Sequence, residues 1–285
     1  MHQITLSVII VSYNNEKVIK DCLNSIKKYN DIGSQLEVIV VEQSPKDYIY
    51  NSLKDDFDWV KVIRNRNIGF GGGNNVGVEN SYGKYLLFLN PDTILVEPVF
   101  SFLIQKFDDD NNLGLAGVRL IDSDGNNNLS YYWNDYLSFL LSGLFKIYNK
   151  KNIFIQDKMY IMGADMFVRK SVFEEVGQFD ENIFMYCEEK DLCSRIRRAG
   201  YSVCFFKDKR IIHLEGKSQP ANYVKISLAV IKSDLYVTKK LGENPKKEIR
   251  KGIRGCKLRR LMYKVTGNNK AAKLETEVIR EYRKL

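Results

Sequence analysis

No apolar run in this chain approaches the roughly 18 residues that a membrane-spanning helix requires, so no span is expected. The first residues, MHQITLSVIIVSYNN, lack a basic n-region and lead straight into a strand, and no signal peptide is expected either. Cysteine is sparse and unpaired: Cys22, Cys187, Cys193, Cys204 and Cys256 are odd in number and form no CxxC, which reads as free thiols in a reducing cytosol. Histidine is scarcer still, with His2 and His213 alone. The first strand-to-helix turn, residues 12–15, has no glycine, so the dinucleotide-binding fingerprint is missing where that fold needs it. Gly69 and Gly71 are followed by Asn74, and no GK[S/T] follows, which removes the P-loop as well.

What is present is a globular composition, 44% hydrophobic and 28% charged over 285 residues, enough for one large core with a small appendage. The net charge of +9 is unevenly spread. Residues 217–285 hold 19 of the 44 basic and 6 of the 35 acidic residues, a net +13, which leaves −4 for residues 1–216. A tail of that sign points to an anionic partner, either nucleic acid or the cytoplasmic face of a membrane.

The chain is organised around residues 68–97, IGFGGGNNVGVENSYGKYLLFLNPDTILVE. A glycine-rich turn (Gly69, Gly71, Gly72, Gly73) is expected to enter a small polar helix and then a buried strand over residues 85–89, ending at Asn90-Pro91-Asp92. In open α/β sheets ligands sit outside the carboxyl ends of strands, which makes Asp92, on a proline-fixed turn, a candidate metal ligand. Upstream, residues 5–11 and 36–41 read as buried strands and 60–63 as a third, each ending in a polar turn. Between the first two, Val18, Ile19, Cys22, Leu23 and Ile26 repeat with helical spacing. Strand-helix-strand order of this kind predicts an α/β fold with a mostly parallel central sheet and helices on both faces.

Residues 97–107 are predicted helical and 115–118 a strand, with 122–130 a loop. The aromatic stretch 131–154 suits either a core helix or a lid for an apolar substrate. Ser171 and Glu174 read as a capping box for a short helix ending at Gly177. Residues 187–199 form a further helix whose first turn carries Glu188, Glu189 and Asp191. Helical spacing puts Glu188 and Asp191 on one face and Glu189 about 100° away, so they cannot share one role.

In order, the motifs VSYN (11–14), N-x-G-F-x-x-G-N-N (67–75), YLLFLNPDT (85–93), GADMFVRK (163–170), VGQFDENIFMYCEEKDL (176–192) and HLEGKS (213–218) resemble family-2-type glycosyltransferases of the GT-A fold, particularly bacterial rhamnosyltransferase-like members. The resemblance covers about residues 4–218 and implies a catalytic domain there, with 219–285 a basic helical C-terminal extension. It implies an inverting, metal-dependent transfer from a nucleoside-diphosphate sugar, dTDP-rhamnose or a UDP-sugar, to a glycan or lipid-linked saccharide. Asp92 and His213 would hold a divalent cation, Mn²⁺ or Mg²⁺. The family's E-D-x-D stands here as Glu188-Glu189-Lys190-Asp191; Glu189 sits at the position of the usual base, Glu188 competes with it, and Asp191 is a structural or acceptor-orienting partner. Ser12, Tyr13 and Glu42 match the nucleotide edge, and Asn67, Gly69, Asn75, Asn90, Gly163 and Ala164 the diphosphate and sugar.

In the tail, residues 223–241 and 245–265 read as helices, the second crowded with Lys and Arg. That suggests an interfacial segment drawn to anionic lipid at the inner membrane face, and not a nucleic-acid binder, since no recognition motif accompanies it. Rival readings are a nucleotidyltransferase, and a non-catalytic membrane-docking module that retains the fold. The oligomeric state is not indicated.

Overall fold

The computed structural model describes residues 3–133, 147–214 and 223–285. The apolar strands β1 (Leu6–Ser12) and β2 (Leu36–Glu42) flank helix α1 (Glu16–Lys28), and α2 (Asp47–Asp56) leads to β3 (Lys61–Arg64). Helix α3 (Gly69–Glu79) returns the chain to β4 (Tyr85–Leu89), followed by β5 (Thr93–Leu95), α4 (Phe100–Asp109) and β6 (Leu113–Ile121). A short pair, β7 (Tyr131–Trp133) with β8 (Met159–Ile161), stands apart from the main sheet. Then come β9 (Asp165–Arg169), α5 (Lys170–Glu175), α6 (Glu188–Arg198) and the long β10 (Ser202–His213).

Among the described residues the main sheet has eight strands in the order β3-β2-β1-β4-β9-β6-β10-β5. The β3-β2-β1-β4 half is wholly parallel, and β6 runs parallel to β10; β9 and β5 run against their neighbours. Side chains alternate across the strands, so each face has its own core. Leu6, Val8 and Ile10 of β1 and Tyr85, Leu87 and Leu89 of β4 pack with Ile19, Leu23 and Ile26 of α1 and Phe100 and Phe107 of α4. Ile9, Leu86 and Phe88 point the other way, onto Val78 of α3, Phe173 of α5 and Leu192 and Ile196 of α6. Helices therefore cover both faces, as the strand pattern requires.

Several local expectations are corrected. The glycine-rich segment is not a loop before a helix: Gly71, Gly72 and Gly73 lie inside α3. A Cβ on Gly73 would run into Gln43 Nε2 and the Val11 methyls, and one on Gly77 into Ile9, so these glycines let a helix lie directly on β1. Helix α4 starts at Phe100, because Glu97 precedes Pro98 and is disfavoured in helical geometry. Ser171 caps nothing: α5 begins at Lys170 with Arg169 at its N-cap and no side-chain cap bond, although Gly177 does take the left-handed φ of +87° that ends the segment. The long strand β10 carries a bulge between Phe206 and Arg210.

Of the aromatic stretch 131–154, residues 134–146 lie outside the described residues. Its start is strand and not helix, with Tyr131 buried against Phe154 and Phe205. The domain boundary placed at 218, and residues 215–218 of the HLEGKS motif, also lie outside them. The tail forms three helices where two were expected: α7 (Tyr223–Lys240), α8 (Pro245–Val265) and α9 (Asn269–Tyr282). They share a small core of Ile231, Cys256, Val278, Ile279 and Tyr282.

Candidate active site

Strand β4 is pinned by parallel pairing to β1 and antiparallel pairing to β9, so the turn Asn90-Pro91-Asp92 leaves the sheet at a fixed point. His213, at the end of β10, pairs in register with Thr93 of β5, and the Leu214 amide donates to the Asp92 carbonyl at 3.0 Å. Two residues 121 positions apart in sequence are thereby brought together: His213 Nε2 lies 3.3 Å from Asp92 Oδ1, and Asn90 Nδ2 is 3.5 Å from the same nitrogen. Both Asp92 and His213 are buried.

The turn between β8 and β9 links this pair to the glutamates. Ala164 accepts a backbone bond from Asn90 at 3.0 Å, and the next residue back, Gly163, donates to Glu189 Oε1 at 3.4 Å. A Cβ at Gly163 would stand 3.1 Å from the Glu189 side chain, which would have to give by a few tenths of an ångström. Glu188 and Glu189 open α6, and each keeps one buried oxygen, Oε2, without a hydrogen-bond partner. Burial pushes Glu188 well above the usual carboxylate range, with the adjacent Glu189 charge adding to it, and burial also raises Glu189. A carboxylate with a raised affinity for protons and a vacant acceptor is suited to general-base work.

Asp191 is placed differently. Its side chain is fully buried and paired with Arg195 at 2.7 Å and Lys240 of α7 at 3.0 Å, so it holds the tail to α6. These ion pairs agree with the structural alternative given for Asp191.

On the parallel half, Ser12 and Glu42 are in register at the ends of β1 and β2. Ser12 Oγ and Glu42 Oε2 are buried without partners, while Glu42 Oε1 accepts from the Ser44 amide at 2.7 Å. Next to them the Tyr13 ring is exposed. Such vacant acceptors at strand ends are where a polar ligand would bind. Asn67 and Gly69 are coupled, the Gly69 amide donating to Asn67 Oδ1 at 3.1 Å. Gly69, at φ +85°, abuts the Phe184 carbonyl. Asn75 does not line an open site: Nδ2 donates to Phe179 O and Glu181 Oε1, and Oδ1 accepts from the Phe179 amide, so the side chain is spent on holding the 179–181 loop.

That loop contains what the sequence reading missed. Tyr186 and Cys187, neither a glycine, take consecutive left-handed φ values of 70° and 69° immediately before Glu188. Such backbone costs about 1–3 kcal/mol per residue and persists only where surrounding contacts impose it. Here α3 grips the loop from one side, the Phe70 amide donating to Phe184 O at 3.1 Å. Helix α7 grips it from the other, where Ser233 Oγ donates to Met185 O at 3.0 Å and Lys240 pairs with Asp180 at 2.6 Å. A buried Lys190–Asp234 pair at 2.6 Å ties the same helix to α6. The Tyr186 hydroxyl, raised by burial and then by the Glu188 and Glu189 charges, shares their surroundings. No short-range signal announces these partners, which lie 44 to 114 positions apart in sequence.

An eight-stranded mixed sheet with helices on both faces and acidic groups at its strand ends is a GT-A-like architecture. Residues 7–177, more than half of the chain, match the model of Glycosyl transferase family 2, and the chain belongs to that family. The low-salt glycan biosynthesis hexosyltransferase Agl10 of Haloferax volcanii is 27% identical over 202 residues, 70% of this chain and 63% of its own length. The rhamnosyltransferase WbbL of Escherichia coli is 26% identical over 221 residues, 72% of this chain and 82% of its own length. Among solved structures, GalNAc-T7 crystallised with UDP, GalNAc and Mn²⁺ overlays with a TM-score of 0.62 at 17% identity, over 84% of this chain and 48% of that one, which supports the shared fold. The family match stops at 177, short of Glu188, Glu189 and His213.

Proposed function

We propose that this protein is an inverting glycosyltransferase that moves a sugar from a nucleoside-diphosphate sugar, dTDP-rhamnose or a UDP-sugar, to a glycan or lipid-linked saccharide in surface polysaccharide synthesis. The observation that carries the reading is the convergence of Asp92 with His213 at 3.3 Å, linked through Ala164 and Gly163 to Glu189. The nucleotide lies over the ends of β1 and β2, its polar edge on Ser12 Oγ and Glu42 Oε2, with the exposed Tyr13 ring beside the base. Asn67, Gly69 and Asn90 border the diphosphate and sugar. Glu189 accepts the proton of the acceptor hydroxyl as that oxygen bonds to the anomeric carbon. The bond from that carbon to the diphosphate breaks, and its electron pair leaves with the diphosphate. Burial of Glu188 and Glu189 keeps water from competing for that proton.

The donor set fits a divalent cation. Adjacent ligands of an octahedral ion with bonds near 2.1 Å stand about 3 Å apart, close to the Asp92–His213 spacing. Among the described residues no third His, Cys, Asp or Glu joins them, so diphosphate oxygens and water would complete the shell. When bound, the cation would offset the charge that develops on the leaving diphosphate. The relatives named for glycan and rhamnose transfer, and a neighbour crystallised with Mn²⁺, support the class of reaction. The net +13 of residues 217–285 supports attachment to an anionic membrane surface at the cytoplasmic side.

The test is thermal-shift and transfer measurement with dTDP-rhamnose and UDP-sugars, with and without Mn²⁺. The wild-type protein is expected to show a metal-dependent rise in melting temperature that Asp92→Ala abolishes together with transfer. Full transfer by Asp92→Ala in the presence of chelator would defeat the assignment. Release of pyrophosphate from a nucleoside triphosphate would favour the nucleotidyltransferase instead.

A further inference from the structure

Helix α8 is packed on one side only. Gly252, Gly255 and Cys256 face inward, and α9 lies so close that a Cβ on Gly252 would run into the Tyr282 ring. Asn244 caps its first turn through a bond from the Lys246 amide, so its length and rotation are both set. The outward stripe, residues 250, 254, 257/258, 261 and 265 at helical spacing, is divided along the axis and not across it. Its first half presents Lys246, Lys247, Arg250, Arg254 and Lys257, all exposed and, among the described residues, joined to no acidic group. Its last two turns present Leu258, Leu261, Met262 and Val265, exposed by 51%, 58%, 66% and 80%, with Lys264 exposed at the edge of the same face.

We infer that α8 docks obliquely on an anionic bilayer: the basic half lies along the headgroups and the apolar end dips between the lipids. The inference deepens the membrane attachment proposed above by naming the surface and its orientation. Leu258 to Val265 spans about 10 Å of helix, which matches the 5–10 Å depth of the headgroup and acyl boundary. An anionic bilayer is the occupant because it answers both halves. A nucleic acid leaves the apolar end uncovered, and a second copy of this stripe sets five positive charges against five when the helices run parallel and lays them on the partner's apolar end when they run antiparallel. Docking also bears on the site, since α8 packs on α7, and α7 clamps α6 through Lys190–Asp234 and Lys240–Asp191.

The experiment is co-sedimentation of the full chain with vesicles of phosphatidylglycerol and phosphatidylcholine, against phosphatidylcholine alone. Serine at Arg250, Arg254 and Lys257 should weaken binding to the anionic vesicles by roughly 100-fold. Serine at Leu258, Leu261, Met262 and Val265 should spare low-salt binding but remove the part that survives about 0.5 M NaCl, where charges are screened within a few ångströms. Emission from Leu261→Trp should move to the blue on anionic vesicles and stay unchanged on neutral ones. Equal binding by both serine sets and the wild type would overturn the inference. So would a dimer in light scattering that the apolar serine set makes monomeric, or duplex DNA bound as tightly by that set as by the wild type. Donor turnover in solution, measured on the same proteins, separates the two readings: vesicle binding without turnover sinks the transferase, and turnover with no vesicle binding sinks this surface.

Discussion

The sheet and the tail bury their contacts by different physical means. Strands β1, β2 and β4 bury almost nothing but Val, Ile, Leu, Phe and Tyr, alternating between two apolar cores. The tail has a small apolar core of its own and packs Val230, Val237 and Leu241 on Ile183 and Cys187, but it is also joined to α6 and within itself by buried or half-buried charges: Lys190–Asp234, Lys240–Asp191 and Arg259–Glu275. Apolar burial tolerates substitution of similar volume, whereas a buried ion left without its partner is strongly destabilising. The candidate site lies between these two regions, with its vacant acceptors supplied by strand ends and by the first turn of α6, and its loop held in place by the tail.

The largest effect should come from the residue at that junction. Glu189→Gln is expected to lower kcat by about 10²–10⁴-fold with little change in donor binding, read by single-turnover transfer and donor titration. Glu188→Gln should retain most of the activity; the opposite ranking would reassign the base. Next in size is the clamp. Asp234→Ala leaves Lys190 charged and buried, and should cost about 3 kcal/mol in urea unfolding. Replacing both together, Lys190→Met with Asp234→Leu, should recover most of that loss, and failure to do so would mean the pair is not the source of the stability.

On the sheet side, Gly73→Ala should destabilise by about 1–2 kcal/mol despite alanine's better helix propensity, because its Cβ meets Val11 and Gln43. Calorimetry of the two proteins measures this, and a stabilised variant would contradict the packing reason given for the glycines. The smallest effect is a displacement along the pH axis. The base works ionised, and both glutamates hold protons more tightly than an ordinary carboxylate. Activity should therefore fall on acidification at a pH above the ordinary glutamate pKa of about 4.3. In Glu188→Gln that limb should stay above the ordinary value, since burial is what raises Glu189.

The strands, most of the helices and the residues at strand ends were legible because each depends on short-range periodicity or on a polar turn after an apolar run. Asp92 stood out as a carboxylate on a proline-fixed turn after a buried strand, and His213 followed from motif order. The glycine cluster was misread because its reason is steric contact with Ile9, Val11 and Gln43, residues 30 to 70 positions away. Asn75 was misread on similar grounds: its side chain is the right chemical type for ligand contact, but Phe179 and Glu181 occupy it first.

The amino-acid order alone determined which segments are buried, which carboxylates are candidates at strand and helix ends, and that the positive charge belongs to the tail. All of these follow from local spacing and composition. Only the tertiary structure decided that Asp92 and His213 touch, that Asp191 is a strut, and that the tail braces the loop before Glu188. Those depend on strand register and on ion pairs closed across dozens of residues, which no local pattern encodes.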